Sequence, residues 1–249
     1  MGLLNLFKKK NPLLETAVDL SVLGADIHSH FIPGIDDGSK TIEDSVEMIT
    51  EMYNLGYKKV ITSPHIMSDF YRNTPEIILG GLENVKAALK KANIPIIVEA
   101  AAEYYLDFDL ERKLDTGELL TFGNKNLLFE LSYMNAPENL LHIVFKLQTM
   151  GYKPILAHPE RYNFWHNDFA KYEDLVEKGV QLQLNINSLS GYYSLATKKI
   201  AELLIDKKMI SYLGTDCHHM GHINLIKKVV KEPYLQKLIE SGTLLNNTL

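Results

Sequence analysis

The chain alternates between amphipathic segments and short apolar runs, and a glycine often separates the two. In the segment 41–55, apolar residues recur every three or four positions from Ile42 to Tyr53, which is the spacing of one helical face. Thr41 is placed to cap the start of this helix, and Gly56 to end it. The pattern therefore predicts a helix followed at once by a strand.

The same criteria predict elements along the whole chain. Further helices are expected at 75–91, 137–150, 172–178, 189–206 and 223–241. Strands are expected at 24–28, 58–63, 95–103, 127–131, 154–158, 180–187 and 210–216. Strands that alternate with helices are joined by right-handed crossovers and lie parallel. About seven such units in one α/β domain predict a closed or nearly closed barrel, and an open doubly wound sheet is the alternative.

Composition limits the class of protein. The 249 residues are 46% hydrophobic and 23% charged, with no repeat or linker that would divide them, so we expect residues 23–249 to form one domain after an N-terminal extension, 1–22. The net charge of −5 argues against nucleic-acid binding through a broad basic surface. Cys217 is the single cysteine, which excludes an intramolecular disulfide. With no transmembrane run or signal-peptide pattern, we expect a cytoplasmic protein.

Histidines and acidic residues follow the ends of the predicted strands, where parallel barrels carry their active sites. They are His28, His30, His65, Glu103, Glu130, His158, Asp216 and His218. His28 and His30 are two positions apart, so their side chains point the same way, and Asp216 and His218 repeat this spacing. Imidazole and carboxylate together suit Mn, Fe or Zn better than Ca or Mg. The set exceeds what one ion needs and indicates several.

Each of these residues has a structural alternative when it is taken alone. A histidine at a strand end could be a hydrogen-bonded structural residue, and Glu130 could be a paired acid in the core. A random distribution would not place so many on one face of a barrel, so the whole set favours a metal centre. His142 and His166 are interpreted as structural or exposed, whereas His219 and His222 could line the pocket or be structural.

The arginines point to the substrate. The chain has three, and Arg72 and Arg161 each follow shortly after a candidate ligand histidine. A guanidinium group matches phosphate oxygens, a match that an amide substrate does not require. Arg161 lies three residues after His158, and we therefore interpret it as a phosphate-binding residue. The alternative is that Arg161 forms an ordinary ion pair at the surface.

Several motifs together resemble those of the PHP (polymerase and histidinol phosphatase) superfamily. They are Asp26-Ile-His-Ser-His-Phe-Ile-Pro-Gly-Ile-Asp-Asp-Gly38, His158-Pro-Glu-Arg-Tyr162 and Thr215-Asp-Cys-His218. The first is similar in particular to the CpsB/CapC/YwqE branch, bacterial manganese-dependent protein-tyrosine phosphatases linked to capsule and exopolysaccharide synthesis. The resemblance extends from about Ala25 to His218.

This resemblance implies a single-domain, distorted (β/α)7 TIM-like barrel, the PHP fold, that holds three divalent metal ions. Manganese is expected, with Fe or Zn as alternatives. The ligands implied are His28, His30, Glu103 and Asp216 for the first ion, Asp37, His65 and His218 for the second, and Glu130, His158 and a shared Glu103 for the third. Arg161 matches an arginine that binds phosphate. Relatives carry another arginine shortly after the last ligand, which this chain lacks.

The activity implied is hydrolysis of phosphotyrosine, in which a hydroxide bridging the metal ions attacks phosphorus in line. Predicted catalytic residues are Arg161, Asp37 and His65, and predicted substrate contacts are Arg161, His219, His222 and Arg72. The expected partner is a phosphotyrosine protein, the tail of a bacterial tyrosine kinase, and the chain could form oligomers. Alternatives are a histidinol-phosphate or nucleotide phosphoesterase, an amidohydrolase, and a non-catalytic metal-binding scaffold. A cysteine-based phosphatase is excluded, because Ile223 stands where the arginine six residues after Cys217 would be.

Overall fold

A computed structural model describes residues 12–117 and 119–249 of the chain. Strands and helices alternate along it. The strands are β1 (Ala25–Asp26), β2 (Lys59–Thr62), β3 (His65–Ile66), β4 (Ile97–Ala100), β5 (Glu103–Tyr105), β6 (Asn126–Glu130), β7 (Lys153–Ala157), β8 (Gln181–Asn185) and β9 (Ile210–Gly214). The α-helices are α1 (Ile42–Asn54), α2 (Pro75–Lys91), α3 (Phe108–Thr116), α4 (Leu140–Thr149), α5 (Ala170–Glu177), α6 (Leu195–Asp206), α7 (Met220–Val229) and α8 (Pro233–Glu240).

The strands form a parallel (β/α)7 barrel with two interruptions. One sheet has the order β1-β2-β4 and the other β3-β5-β6-β7-β8-β9. Only a short loop separates β2 from β3, and β4 from β5, so each pair is one barrel strand in two parts. Beyond β1 and β9, Ser29 pairs with Cys217 in a parallel bridge, and the His30 N–H donates to the Cys217 carbonyl at 2.9 Å. These bonds set the first strand beside the last, which confirms the predicted barrel.

Two apolar clusters stabilise this barrel. The larger combines strand residues with the inner faces of the helices. In α1 the buried residues are Met48, Ile49 and Met52, whereas Tyr53, on the predicted face, is 42% exposed. The smaller draws mostly on the strands themselves and includes Ile61, Leu128 and Ile155. Leu128 lies on the same face of β6 as Glu130, two residues later, so this cluster forms a floor beneath the polar end of the barrel.

The helices differ from the sequence predictions at three points. The single helix predicted at 223–241 is wrong: α7 ends at Val229 and α8 begins at Pro233, because proline lacks the amide that would continue the first helix. The helix predicted from 189 begins only at Leu195, after a 3-10 turn and an N-cap at Ser194. The helix α3 was not predicted from the sequence, although Asp107 caps its start.

The predicted N-terminal extension is described from residue 12 onward, and residues 1–11 lie outside the described part. The Leu14 N–H donates to the Lys231 carbonyl at 2.8 Å, and the Val18 N–H to the Val230 carbonyl at 2.7 Å. Leu20 is 1% exposed and joins the larger apolar cluster. Within the described residues, no helix is both long and apolar enough to span a bilayer.

Candidate metal centre

The residues that follow the strand ends meet in one cleft of about 490 Å³. Its polar lining is Asp37, His65, Glu130, His158, Arg161, Asp216, His218, His219 and His222. Its apolar and aromatic lining is Met67, Phe70, Tyr71, Tyr133 and Tyr193. His28, His30 and Glu103 are fully buried beneath the cleft floor. All nine predicted metal ligands therefore belong to one site.

One set of four ligand atoms surrounds a single point. His28 Nε2 lies 3.2 Å from Glu103 Oε2, 3.4 Å from Asp216 Oδ1 and 3.3 Å from His30 Nε2. His30 Nε2 lies 3.6 Å from the same Glu103 oxygen and 3.4 Å from the same Asp216 oxygen. Ligand atoms about 2.1 Å from a tetrahedral ion are about 3.4 Å apart. The spacing of this set suits one divalent cation.

Two further sets adjoin the first. Asp37 Oδ1 lies 3.5 Å from His65 Nε2 and 3.4 Å from His218 Nε2. On the other side of the His65 ring, Nδ1 lies 3.1 Å from Glu103 Oε2 and 3.3 Å from Glu130 Oε1.

His158 completes the third set. Its Nε2 is 3.1 Å from Glu103 Oε1 and 3.9 Å from Glu130 Oε2. Glu103 thus faces two sets of ligands with its two oxygens, which is the position of a bridging carboxylate.

The charges and unpaired atoms of the site fit bound cations. Glu103 Oε2 is buried and accepts no well-formed hydrogen bond, although three histidine nitrogens approach it. A buried anionic oxygen without a partner is costly unless a cation or proton compensates it. Burial would raise the pKa of Asp216, but His28 and His218 hold it well below its ordinary range. A hydrogen bond from His218 lowers the pKa of Asp37 to about 2. Asp216 and Asp37 are therefore ionised at neutral pH.

The histidine rings are oriented by their second nitrogens. His28 Nδ1–H donates to Gln183 Oε1 at 2.8 Å, and His30 Nδ1–H donates to Asp36 Oδ2 at 2.8 Å. His218 Nδ1–H donates to the Asp216 carbonyl at 2.9 Å. Metal-ligating histidines commonly use their other nitrogen in this way, which fixes the tautomer and aims the free Nε2.

Protonation of the histidines follows from their surroundings. Burial alone would lower the pKa of His28, but the carboxylates of Glu103 and Asp216 raise it to about 9. Burial and the neighbouring Arg161 lower the pKa of His158, so this ring is neutral at pH 7. Burial and His219 lower the pKa of His222 to about 4. His222 therefore adds no positive charge to the cleft at neutral pH.

Two ligand residues have a strained backbone. His158 (φ +35°) and Asp216 (φ +48°) adopt left-handed conformations directly after β7 and near the end of β9. This conformation is costly for residues with a Cβ and is often found at functional sites. Both side chains lie at the cleft.

Arg161 lies at the cleft and pairs with a ligand. Its Nη1 donates to Asp216 Oδ2 at 2.7 Å, and 21% of its side chain is exposed. Arg72, predicted to contact substrate, is exposed outside the cleft, where its Nε donates to the Ser68 carbonyl at 2.8 Å. His219 and His222 line the cleft, with ring centroids 4.1 Å apart.

The comparisons with known proteins place the chain in a family. The family model for capsular polysaccharide synthesis proteins, CpsB/CapC, matches residues 24–240. The chain belongs to the CpsB/CapC family. The resemblance inferred from the sequence motifs is thereby confirmed.

Named relatives and a solved structure agree. The tyrosine-protein phosphatase YwqE of Bacillus subtilis is 29% identical over 78% of this chain and 77% of that protein. CpsB of Streptococcus agalactiae, also named a tyrosine-protein phosphatase, is 25% identical over 78% of this chain and 83% of its own length. A structure from work on YwqE of Bacillus subtilis and CpsB of Streptococcus pneumoniae, described as unique metal-dependent tyrosine phosphatases, has a TM-score of 0.78 at 27% identity. It covers 87% of this chain and 90% of that one.

The residues that support the ligands were not predicted from the sequence. Asp36 and Gln183 each hold one ligand ring, and Asn185 Nδ2 donates to Asp216 Oδ2 at 2.9 Å. A sequence pattern could have identified two of them. In Gln181-Leu-Gln-Leu-Asn185 the polar side chains alternate with leucine, which indicates a strand with a polar face toward the barrel interior. Asp36, in contrast, is typical of any Asp-Asp-Gly turn.

Proposed function

We propose that this protein is a metal-dependent phosphatase that hydrolyses phosphotyrosine in a protein substrate. The observation that carries the proposal is one cleft holding both a carboxylate–histidine set suited to divalent cations and the guanidinium of Arg161. Cations and an arginine on one wall are what a phosphate dianion requires. The named functions of its relatives support the same conclusion.

We propose that the three adjoining sets hold three divalent ions and that the metal is manganese. His28, His30, Glu103 and Asp216 would hold the first ion. Asp37, His65 and His218 would hold the second, and Glu130, His158 and the second oxygen of Glu103 the third. Bound ions of this kind supply an activated water and neutralise phosphate charge. Because His65 lies between Asp37 and Glu130, it also couples the second and third sets.

The residues of the chain bind and orient the substrate. Arg161 would bind the phosphoryl oxygens, with Asp216 fixing one of its nitrogens. At the mouth, Tyr71 stacks on His65 with centroids 5.5 Å apart, and Phe70 is 76% exposed. An aryl ring can pack against such a mouth, whereas the short alkyl chain of phosphoserine cannot. This favours phosphotyrosine over an aliphatic phosphate.

The buried thiol takes no part in this chemistry. Cys217 is fully buried, with its Sγ 4.0 Å from Met48 Sδ, on the side of β9 away from the cleft. Burial and the nearby carboxylate of Asp26 raise the pKa of Cys217 well above its ordinary value. A protonated thiol facing the core cannot act as a nucleophile.

In the cell, we propose a cytoplasmic protein acting on a phosphorylated tyrosine kinase of capsule or exopolysaccharide synthesis. The test is a substrate panel: kcat/KM for a phosphotyrosine peptide, the matched phosphoserine peptide, histidinol phosphate and a nucleoside monophosphate. We expect the phosphotyrosine peptide to be preferred by at least about tenfold. Preference for histidinol phosphate or a nucleotide would favour one of the alternative phosphoesterases. If none of the four substrates is hydrolysed, the non-catalytic metal-binding scaffold is favoured.

A further inference from the structure

Two aromatic rings contact the guanidinium of Arg161. Its Cζ lies 4.1 Å from the centre of the Tyr193 ring and 4.9 Å from the centre of the Tyr133 ring. Tyr133 follows β6, Arg161 follows β7 and Tyr193 follows β8, and these three strands are neighbours in the barrel. The rings therefore approach the arginine from both sides along the rim.

Each ring is itself fixed by contacts with the site. Asn185 Nδ2 donates to the Tyr193 hydroxyl at 2.9 Å and to Asp216 Oδ2 at 2.9 Å, so it joins this tyrosine to a metal ligand. Tyr133 stacks on His158, with centroids 6.0 Å apart and planes at 18°. The Tyr133 ring thus packs on a candidate ligand, and the Tyr193 ring is held by a residue that also bonds to one.

An arginine side chain otherwise has many conformations, and ordering it costs entropy on every binding event. Among the described residues, Asp216 is the acceptor for an Arg161 hydrogen bond, through Nη1. The remaining N–H groups lie in the plane of the guanidinium, and Asp216 occupies one of its nitrogens, so the others can donate to a phosphoryl group. The Arg161 side chain is therefore already in position when a phosphoryl group binds.

Building on the proposed phosphatase function, we propose that Tyr133 and Tyr193 are positioning residues that hold Arg161 between their rings and orient it toward the phosphoryl group. The contact with the guanidinium is made by the aromatic rings, so tyrosine and phenylalanine at position 133 should behave alike. Tyr193→Phe keeps the ring but loses the hydrogen bond from Asn185 that fixes it. An aliphatic residue of similar bulk loses the ring contact at either position.

The test compares Tyr133→Phe, Tyr133→Leu, Tyr193→Phe and Tyr193→Leu, with Tyr53→Leu on the exposed side of α1 as the distant control. The readouts are the dissociation constant of inorganic phosphate by calorimetry, kcat and KM for p-nitrophenyl phosphate, and metal content. We expect each leucine variant to bind phosphate roughly three- to thirtyfold more weakly, mainly through KM, at unchanged metal content. Tyr133→Phe should stay within about twofold of the parent protein, and Tyr193→Phe should lose less phosphate affinity than Tyr193→Leu.

The same leucine substitutions in an Arg161→Met background separate positioning from a general structural effect. If the rings act through Arg161, they should cause no further loss there. Leucine variants that bind phosphate like the parent, or lose as much without Arg161 as with it, would overturn the inference and leave the phosphatase function standing. Conversely, ring-dependent phosphate binding without turnover of any phosphomonoester would contradict the phosphatase function and retain the positioning role.

Discussion

At the scale of single residues, the candidate ligands depend on neighbours that contact no substrate. Gln183 and Asp36 each accept a hydrogen bond from one nitrogen of a histidine and so leave the other nitrogen free for a cation. Both supporting residues are buried or nearly so, and their removal would leave a ring free to rotate or change tautomer. The supporting residues should therefore affect metal binding without touching the metal.

Replacing Gln183 tests this support directly. In Gln183→Leu, His28 loses its acceptor, and we expect metal affinity to fall by about 10- to 100-fold. Competition with a chelating dye measures the affinity. The matched control is Gln181→Leu on the same strand, since Gln181 Oε1 makes no hydrogen bond within the described structure. Equal metal affinity in the two variants would show that Gln183 does not support the site.

Replacing the single cysteine tests whether its thiol takes part in catalysis. Cys217→Ser should retain most of the kcat on p-nitrophenyl phosphate, because the thiol is protonated and faces Met48 in the core. A stability loss of about 1 kcal/mol is expected from placing a hydroxyl in an apolar contact. Metal content is measured alongside the rate. An inactive variant that keeps its metal would contradict this expectation and indicate that the thiol takes part in the reaction.

At the scale of elements, two adjacent glycines in α2 have opposite surroundings. A Cβ added at Gly81 would lie 2.3 Å from Cγ2 of Ile32, which is in the loop just after His28 and His30. Ile32 is fully buried and branched at Cβ, so its side chain has little freedom to move away. A Cβ at Gly80 meets nothing within 4 Å. Gly81 thus permits the close approach of α2 to a ligand-bearing loop.

These glycines provide a matched pair of substitutions. Gly81→Ala should lower the free energy of unfolding by about 1–3 kcal/mol through the clash. Gly80→Ala should raise it by about 0.5–1 kcal/mol, because alanine favours the helix. Urea denaturation measures both. If both variants gain stability alike, the packing of α2 on the loop is not as tight as described.

The elements that could be predicted from sequence are those with a complete local pattern. For α1, Thr41 caps the start as predicted and the apolar residues repeat regularly, so its bounds agree within a residue. The break between β2 and β3 could not be predicted, because Ser63-Pro64 reads equally well as the end of a strand or a kink within it. Helix α3 was not predicted because it has only nine residues, and two leucines, Leu110 and Leu114, form its buried face.

At the scale of the whole molecule, the barrel gathers distant residues into one buried charged cluster. His28 and Asp216 come from opposite ends of the chain, and their side chains approach to 3.4 Å. The sequence indicated this convergence, since parallel strands end on one face. It could not show which carboxylate oxygen faces which ring, because that depends on the left-handed backbone of His158 and Asp216. Nor did it indicate the two rings around Arg161, which come from loops without a motif.

Such a cluster should make stability depend on metal. Cations that bind the folded but not the unfolded chain raise the free energy of unfolding by about 2.7 kcal/mol when their concentration is about 100 times the dissociation constant. For a chain of this size that corresponds to a rise of roughly 5–10 °C in the melting temperature. We expect this rise when manganese is added to stripped protein, and a smaller one in His158→Ala. His142→Ala is the control, because His142 lies on α4 with 64% of its side chain exposed. Equal rises in melting temperature in both variants would show that His158 is not a metal ligand.

The most direct test of the central claim is hydrolysis of p-nitrophenyl phosphate by metal-stripped protein, with Mn, Fe, Zn or Mg added back one at a time. We predict no turnover without metal, recovery with manganese, and loss of that recovery in His158→Ala. Metal occupancy is measured in each sample. Turnover that persists without metal, or none despite full occupancy in the parent protein, would contradict the claim that this cleft is a metal-dependent phosphatase site.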